Sequence, residues 1–282
     1  MGLAFALMWS SAFTSARMIV VDAPPLTALA FRFLVSGVIG VGIALALGQT
    51  WLLSRAQWRA TMIFGLMQNA VYLGLNFIAM QRVEASVAAI IASSMPLMVA
   101  LAGWLFFKDR LRPMAIAGLV AGFGGVLLIM SARLQGGVDP TGIALCLGGA
   151  VALTVATLSV RSASGGQTGN LLMIVGLQML VGAAALGIVA MIFETWDVTW
   201  SPRLILAFAY TTLIPGLLAT WVWFLLVARI GAIKGATFHF LNPFFGVLIA
   251  WALLGETIGL ADVLGVAIIA AGILAVQLSK QR

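Results

Sequence analysis

Long apolar runs alternate along the chain with short polar breaks. The runs lie at about 2–21, 27–47, 59–80, 84–107, 113–131, 140–160, 169–193, 203–227, 233–254 and 258–278. An α-helix needs about 20 apolar residues to cross a bilayer, so the pattern predicts ten membrane-spanning helices. The breaks carry charges and turn formers: Asp22-Ala-Pro-Pro25, Arg55 to Arg59, Gln81-Arg-Val-Glu84, Lys108-Asp-Arg-Leu-Arg112, Asp139-Pro140, Gly165-Gly166, Glu194 to Pro202 and Gly255-Glu-Thr257. No segment alternates polar and apolar residues over strand lengths, which argues against a lipid-facing barrel. The first run lacks a basic leader and is longer than a signal-peptide core, so it is expected to remain as helix 1. The predicted class is an all-α polytopic membrane protein with ten transmembrane helices.

Composition agrees. Of 282 residues, 63% are apolar and 8% charged, against about 25% charged in soluble domains. A water-covered enzyme and a disordered chain are both excluded. One cysteine, Cys146, rules out an internal disulfide, and one histidine, His239, rules out two-histidine metal motifs. The sequence holds no phosphate-cradling loop, so no ATP site, cofactor or metal is expected.

The net charge of +7 reads as an orientation signal. Arg55, Arg59, Lys108, Arg110, Arg112, Arg161, Arg229, Lys234, Lys280 and Arg282 fall at one set of helix ends. Only Arg17, Arg32, Arg82, Arg133 and Arg203 fall at the other, with most of the acids. Basic residues favour the cytoplasmic side, which places both termini there. The basic residues are scattered singly, so no nucleic-acid partner is expected. The partners expected are the lipid bilayer and a small molecule; a monomer suffices.

The chain also resembles itself. Residues 82–129 shifted by 147 fall on 229–276, matching Arg82/Arg229, Pro96/Pro243, Trp104/Trp251, Gly118/Gly265 and Gly125/Gly272 among others. At a shift of 140, helix 1 matches Gly2/Gly142, Ala12/Ala152 and Thr14/Thr154. Residues 1–131 and 139–282 are thus read as two five-helix units. Five is odd, so the second unit enters the membrane from the opposite side. Two inverted repeats around a central site are a transporter architecture, because two near-equal packings can exchange between the halves.

At this point the chain resembles a known family, the ten-helix EamA branch of the drug/metabolite transporter superfamily. The residues that carry the likeness are Trp9-Ser-Ser-Ala-Phe-Thr-Ser-Ala-Arg17, Pro24-Pro-Leu-Thr-Ala-Leu-Ala-Phe-Arg-Phe33 and Ala85 to Pro96. In the second half they are Gly231 to Pro243, Gly255-Glu-Thr257 and Gly265 to Gly272. Within that family the chain is most similar to bacterial exporters of aromatic amino acids. The resemblance implies export of small metabolites, amino acids included, across the inner membrane. It also implies an acidic residue after glycine at the end of helix 4, where this chain has Lys108-Asp109.

Polar groups inside an apolar bundle are costly, so they are candidates for a substrate site. Gln68, Asn69, Tyr72 and Asn76 share one face of helix 3. Thr212, Pro215, Gly216, Ala219 and Trp223 are their counterparts in helix 8. Trp9 and Ser10 in helix 1 and His239 in helix 9 complete the candidate lining. For each, ordinary packing is the competing reading: polar groups also join membrane helices, and tryptophans also sit at the interface. Trp51, Trp58, Trp196 and Trp200 are read as such interfacial residues. Pro96, Pro215 and Pro243 lack an N–H and are candidate kinks or hinges. Arg17 and Arg32 are expected to snorkel to the headgroups, with contact to a substrate carboxylate as the alternative. No acid or lysine falls mid-span. The expected cavity therefore joins aromatic faces to neutral polar groups, without a fixed counter-ion.

Overall fold

The computed structural model describes residues 1–108, 110–161, 170–230 and 238–279. Among them every regular element is a helix. Numbered along the chain these are α1 Gly2–Asp22, α2 Pro25–Ala46, α3 Arg55–Ala79, α4 Ala85–Phe107 and α5 Pro113–Gln135. They continue as α6 Pro140–Arg161, α7 Leu171–Phe193, α8 202–230, α9 Phe238–Leu254 and α10 Leu260–Ser279. Among the described residues nine of these are long and apolar enough to cross a membrane, and α9 is shorter. The expected start of α9 at residue 233 lies outside the described residues.

Local chemistry sets the helix ends. Proline opens α2, α5, α6 and α8, where a missing N–H breaks no helical bond. Ser54 and Gln57 cap the start of α3 reciprocally. Outward faces carry large apolar side chains such as Val120, Leu127, Met191 and Phe193. Trp51, Trp58, Trp196 and Trp200 are all exposed, as interfacial residues require, and so are the matched Trp104 and Trp251.

The most extensive helix contacts are α2 on α7 and α5 on α10. Gly118 meets Gly272 and Gly125 meets Gly265, so α5 and α10 cross antiparallel. A Cβ on Gly118 would lie 2.7 Å from the Gly272 carbonyl oxygen, a spacing only glycine allows. Three further sets of contacts match between the halves: α1 on α9 with α6 on α4, α3 on α7 with α8 on α2, and α1 on α8 with α6 on α3.

The polar ends of one half hold the other. Glu194, after α7, accepts the N–H groups of Leu26 and Thr27 at the start of α2, both at 2.8 Å. In the other direction Gln49, after α2, accepts the Met173 N–H of α7 at 3.0 Å. Glu256, after α9, accepts from Ala85 and Ser86 of α4 at 2.7 and 3.0 Å. Each satisfies helix-start donors that have no intrahelical partner, and a carboxylate there also opposes the helix dipole. Arg133 of α5 pairs with Glu84 and with Asp262, the latter at 3.0 Å. Arg82 donates to Asp139 at 3.0 Å, and this bond holds the loop carboxyl below the usual range.

Two helices are not α-helical throughout. Gly65–Tyr72 in α3 and Thr212–Leu218 in α8 are π-helical, at registers related by the shift of 147. α4 breaks at Ser94, with Pro96 in the first turn that follows. Ser93 and Ser94 hydroxyls bond back to the Ala89 and Ile91 carbonyls at 2.6 and 2.7 Å there. α9 opens with a 3-10 turn, Phe238–Leu241, and Pro243 stands in the first turn of its α-helical part.

Candidate functional site

α1, α2, α3 and α8 enclose a cavity of about 60 Å³. Its walls are mostly apolar: Trp9 and Phe13 from α1, and Tyr72, Leu73 and Phe77 from α3. Each π-helical segment contributes one matched residue, Gln68 from α3 and Pro215 from α8. A π turn locally widens the helix and displaces side chains from the α-helical stripe, a distortion frequent at functional sites. Arg32 enters from α2.

Side-chain contacts flank the cavity at both ends. Beyond Phe77, toward the C-terminal end of α1, the Arg17 guanidinium donates to the Met80 carbonyl and ties α1 to the end of α3. Toward the N-terminal end of α1, four rings stack. Phe5 lies 4.9 Å from Trp223 and 5.3 Å from His239, and Trp9 lies 6.2 Å from His239. The Asn242 amide nitrogen is 2.9 Å from His239 Nδ1. With the amide donating, the ring hydrogen sits on Nε2. Among the described residues no Asp, Glu or Lys lines the cavity.

The sequence-derived candidates separate into three groups. Trp9, Gln68, Tyr72 and Pro215 line the cavity. Trp223 and His239 belong to the ring cluster that flanks it, and they reach the lining through Trp9. Ser10 and Asn76 do neither. Ser10 is fully buried against α9 and donates to the Asn242 carbonyl at 3.3 Å. Asn76 donates to the Tyr72 carbonyl at 2.8 Å and packs on Gly149 of α6. Asn69 turns to α7, donating to the Gln178 carbonyl at 2.9 Å. The face of four polar residues on α3 is therefore divided between the cavity and the neighbouring helices α6 and α7. Pro96 and Pro243 mark helix breaks away from the lining.

Two expectations need correction. Arg17 and Arg32 do not snorkel: Arg17 bonds a backbone carbonyl, and Arg32 is 6% exposed and faces the cavity. The cavity consequently contains a fixed cation, contrary to the expectation of neutral groups only. The sequence carried a signal for this. Arg32 and Ser36 stand four residues apart in an apolar run, on one helix face. Phe5, Phe13 and Phe77 gave no signal, since aromatic residues are common in any apolar helix.

The model of the EamA-like transporter family matches the chain twice, over residues 1–131 and 140–278. The uncharacterized transporter YvbV of Bacillus subtilis (strain 168) is 25% identical, over 95% of this chain and 87% of that protein. The uncharacterized inner membrane transporter YedA of Escherichia coli (strain K12) is 26% identical, over 99% and 90%. Protein PecM of Dickeya dadantii (strain 3937) is 26% identical, over 94% and 86%. One protein crystal structure shares the fold with a TM-score of 0.72 at 22% identity, over 100% of this chain and 97% of that one. By the double match across nearly its whole length, this multi-pass membrane protein belongs to the EamA-like transporter family.

Proposed function

We propose that the protein exports small amphiphilic metabolites, amino acids and aromatic amino acids among them, across the cytoplasmic membrane by alternating access. The observation that carries this reading is the cavity between α1, α2, α3 and α8, walled by aromatic rings with a few polar groups. Such walls take a flat or branched apolar side chain, and polar groups at its edge orient the remainder. The same lining leaves other amphiphilic metabolites or drugs as the alternative substrates.

In this reading residues 1–131 and 139–282 are repeats of inverted topology, related by an axis in the membrane plane. Two features support it: a family model that matches once per five helices, and the antiparallel crossing of the equivalent helices α5 and α10. The asymmetry of Lys and Arg supports cytoplasmic termini. The cavity lacks a carboxylate, which favours gradient-driven movement over obligatory proton exchange. Uptake by purified protein in liposomes, against a panel of amino acids with and without a pH gradient, tests the reading. Saturable movement of amino acids is expected, and movement of none would reject them as substrates.

A further inference from the structure

Arg32 is a buried cation without a protein partner. It makes no hydrogen bond or ion pair with any described residue, and its Nε is fully enclosed and unsatisfied. Its one recorded contact of electrostatic kind is with the ring of neighbouring Phe33, 5.1 Å away. Glu194, an acid at the start of α2, is engaged by Leu26 and Thr27. One turn along the same face, the Ser36 hydroxyl is likewise buried and unpartnered. Both groups converge on Gly216 in the π segment of α8. A Cβ there would lie 3.5 Å from Arg32 Nη2 and 3.5 Å from the Ser36 hydroxyl oxygen. A larger residue at 216 would crowd the guanidinium against the cavity edge.

A lone charge in a low-dielectric interior is costly unless a counter-charge meets it. Among the described residues none is paired with it, so the counter-charge arrives with the ligand. A guanidinium presents paired N–H groups that match a carboxylate's two oxygens. One cation balances one negative charge, which fits a carboxylate better than a phosphate dianion. The lining holds no acid to receive an ammonium group. Trp9, Phe13, Tyr72 and Phe77 share the cavity lining with Arg32 and suit an apolar body.

We propose that the cavity recognises organic monocarboxylates through Arg32, with Ser36 as a second donor, and that an α-amino group is not required. This rests on the reading of the cavity as the transport site and narrows its substrate class. Amino acids enter as carboxylates with an apolar side chain, and amines without a carboxylate are refused.

The test uses full-length protein in detergent and in liposomes with four probes of one shape: phenylalanine, 3-phenylpropanoate, phenethylamine and 2-phenylethanol. Ligand-induced thermal stabilisation measures binding, and radiolabelled uptake measures transport. 3-Phenylpropanoate is expected to stabilise the protein most, phenylalanine less because its ammonium finds no acid in the lining, and the amine and the alcohol not at all. Arg32→Gln is expected to weaken carboxylate binding about tenfold or more, with Arg32→Lys intermediate. Equal binding of phenethylamine and 3-phenylpropanoate, equal binding of chloride, or binding of none overturns the proposal. These controls use wild-type protein and decide even if Arg32→Gln does not fold. Carboxylate binding unchanged in folded Arg32→Gln overturns it too. Carboxylate binding without uptake would reject the carrier reading and leave the recognition by Arg32 standing.

Discussion

Lys108 and Gly255 stand 147 residues apart and end their helices in the same left-handed conformation, with φ of 55° and 70°. Lys108 is the sole non-glycine residue with positive φ among the described residues. The first half therefore keeps the turn that the second half makes with glycine, despite having Lys108-Asp109 in place of Gly-Glu. A side chain in this conformation costs about 1 kcal/mol. Lys108→Gly is expected to stabilise the protein by about that amount, and Gly255→Lys to destabilise it similarly. Thermal unfolding in detergent measures both.

Arg133 is the cation shared by Glu84 and Asp262, and it is largely buried. Removing one partner of a buried pair costs about 3 kcal/mol or more, because a charge is left uncompensated. Arg133→Met is expected to lower thermal stability accordingly. Adding Asp262→Asn should recover part of the loss. Two variants that simply add would show that the charges are not coupled.

The bond from Arg17 to the Met80 carbonyl flanks one end of the cavity. A hydrogen bond from a charged donor contributes about 1.5–3 kcal/mol, so its loss should raise the open population about tenfold or more. In a Cys146→Ser background, a cysteine replacing cavity-lining Ala16 reports that opening. Arg17→Gln is expected to speed its labelling by an impermeant thiol reagent. An unchanged rate would detach Arg17 from closure.

His239 flanks the opposite end with Phe5, Trp9 and Trp223. If it only shapes the cavity, His239→Gln should reduce accumulation and substrate exchange together. Loss of pH-gradient-driven accumulation with intact exchange would make it a proton carrier. Tyr72→Ala and His239→Ala, each normally expressed, should both impair transport in liposomes. Transport unchanged in both would remove the cavity from the mechanism.

Leu52→Cys and Gln135→Cys, in the same Cys146→Ser background, should label from opposite sides of the membrane, with Gln135 outside. Labelling from one side would reject the proposed topology.

The helices were legible because hydropathy period and helix length are set by the bilayer alone. The glycines of the α5–α10 seam recur at the repeat interval, but that recurrence alone does not say that the two helices meet. The site was legible only in part. Trp9, Gln68 and Tyr72 were visible as polar or aromatic outliers in apolar runs, and Pro215 as a helix-breaking one. Ser10 and Asn76 looked identical in sequence yet satisfy neighbouring backbone carbonyls, a choice that depends on helix rotation. That rotation was hidden because a 100° repeat assumes an unbroken α-helix, and α3 and α8 both depart from it. Arg32 was seen but placed by habit, because a long side chain near a helix end usually reaches the headgroups.

The π segments also bear on how the chain tolerates changes of length. Deleting a residue within a regular helix turns everything beyond it by about 100°. Gly65–Tyr72 and Thr212–Leu218 hold surplus backbone, so a deletion inside either is absorbed by reversion to α-helical pitch. The flanking faces keep their orientation, and only the displaced side chains at Gln68 or Pro215 retreat from the cavity. These two stretches are thus where α3 and α8 can shorten without re-threading the bundle, and the same deletion in α1 would turn Phe13 and Arg17 away from their partners.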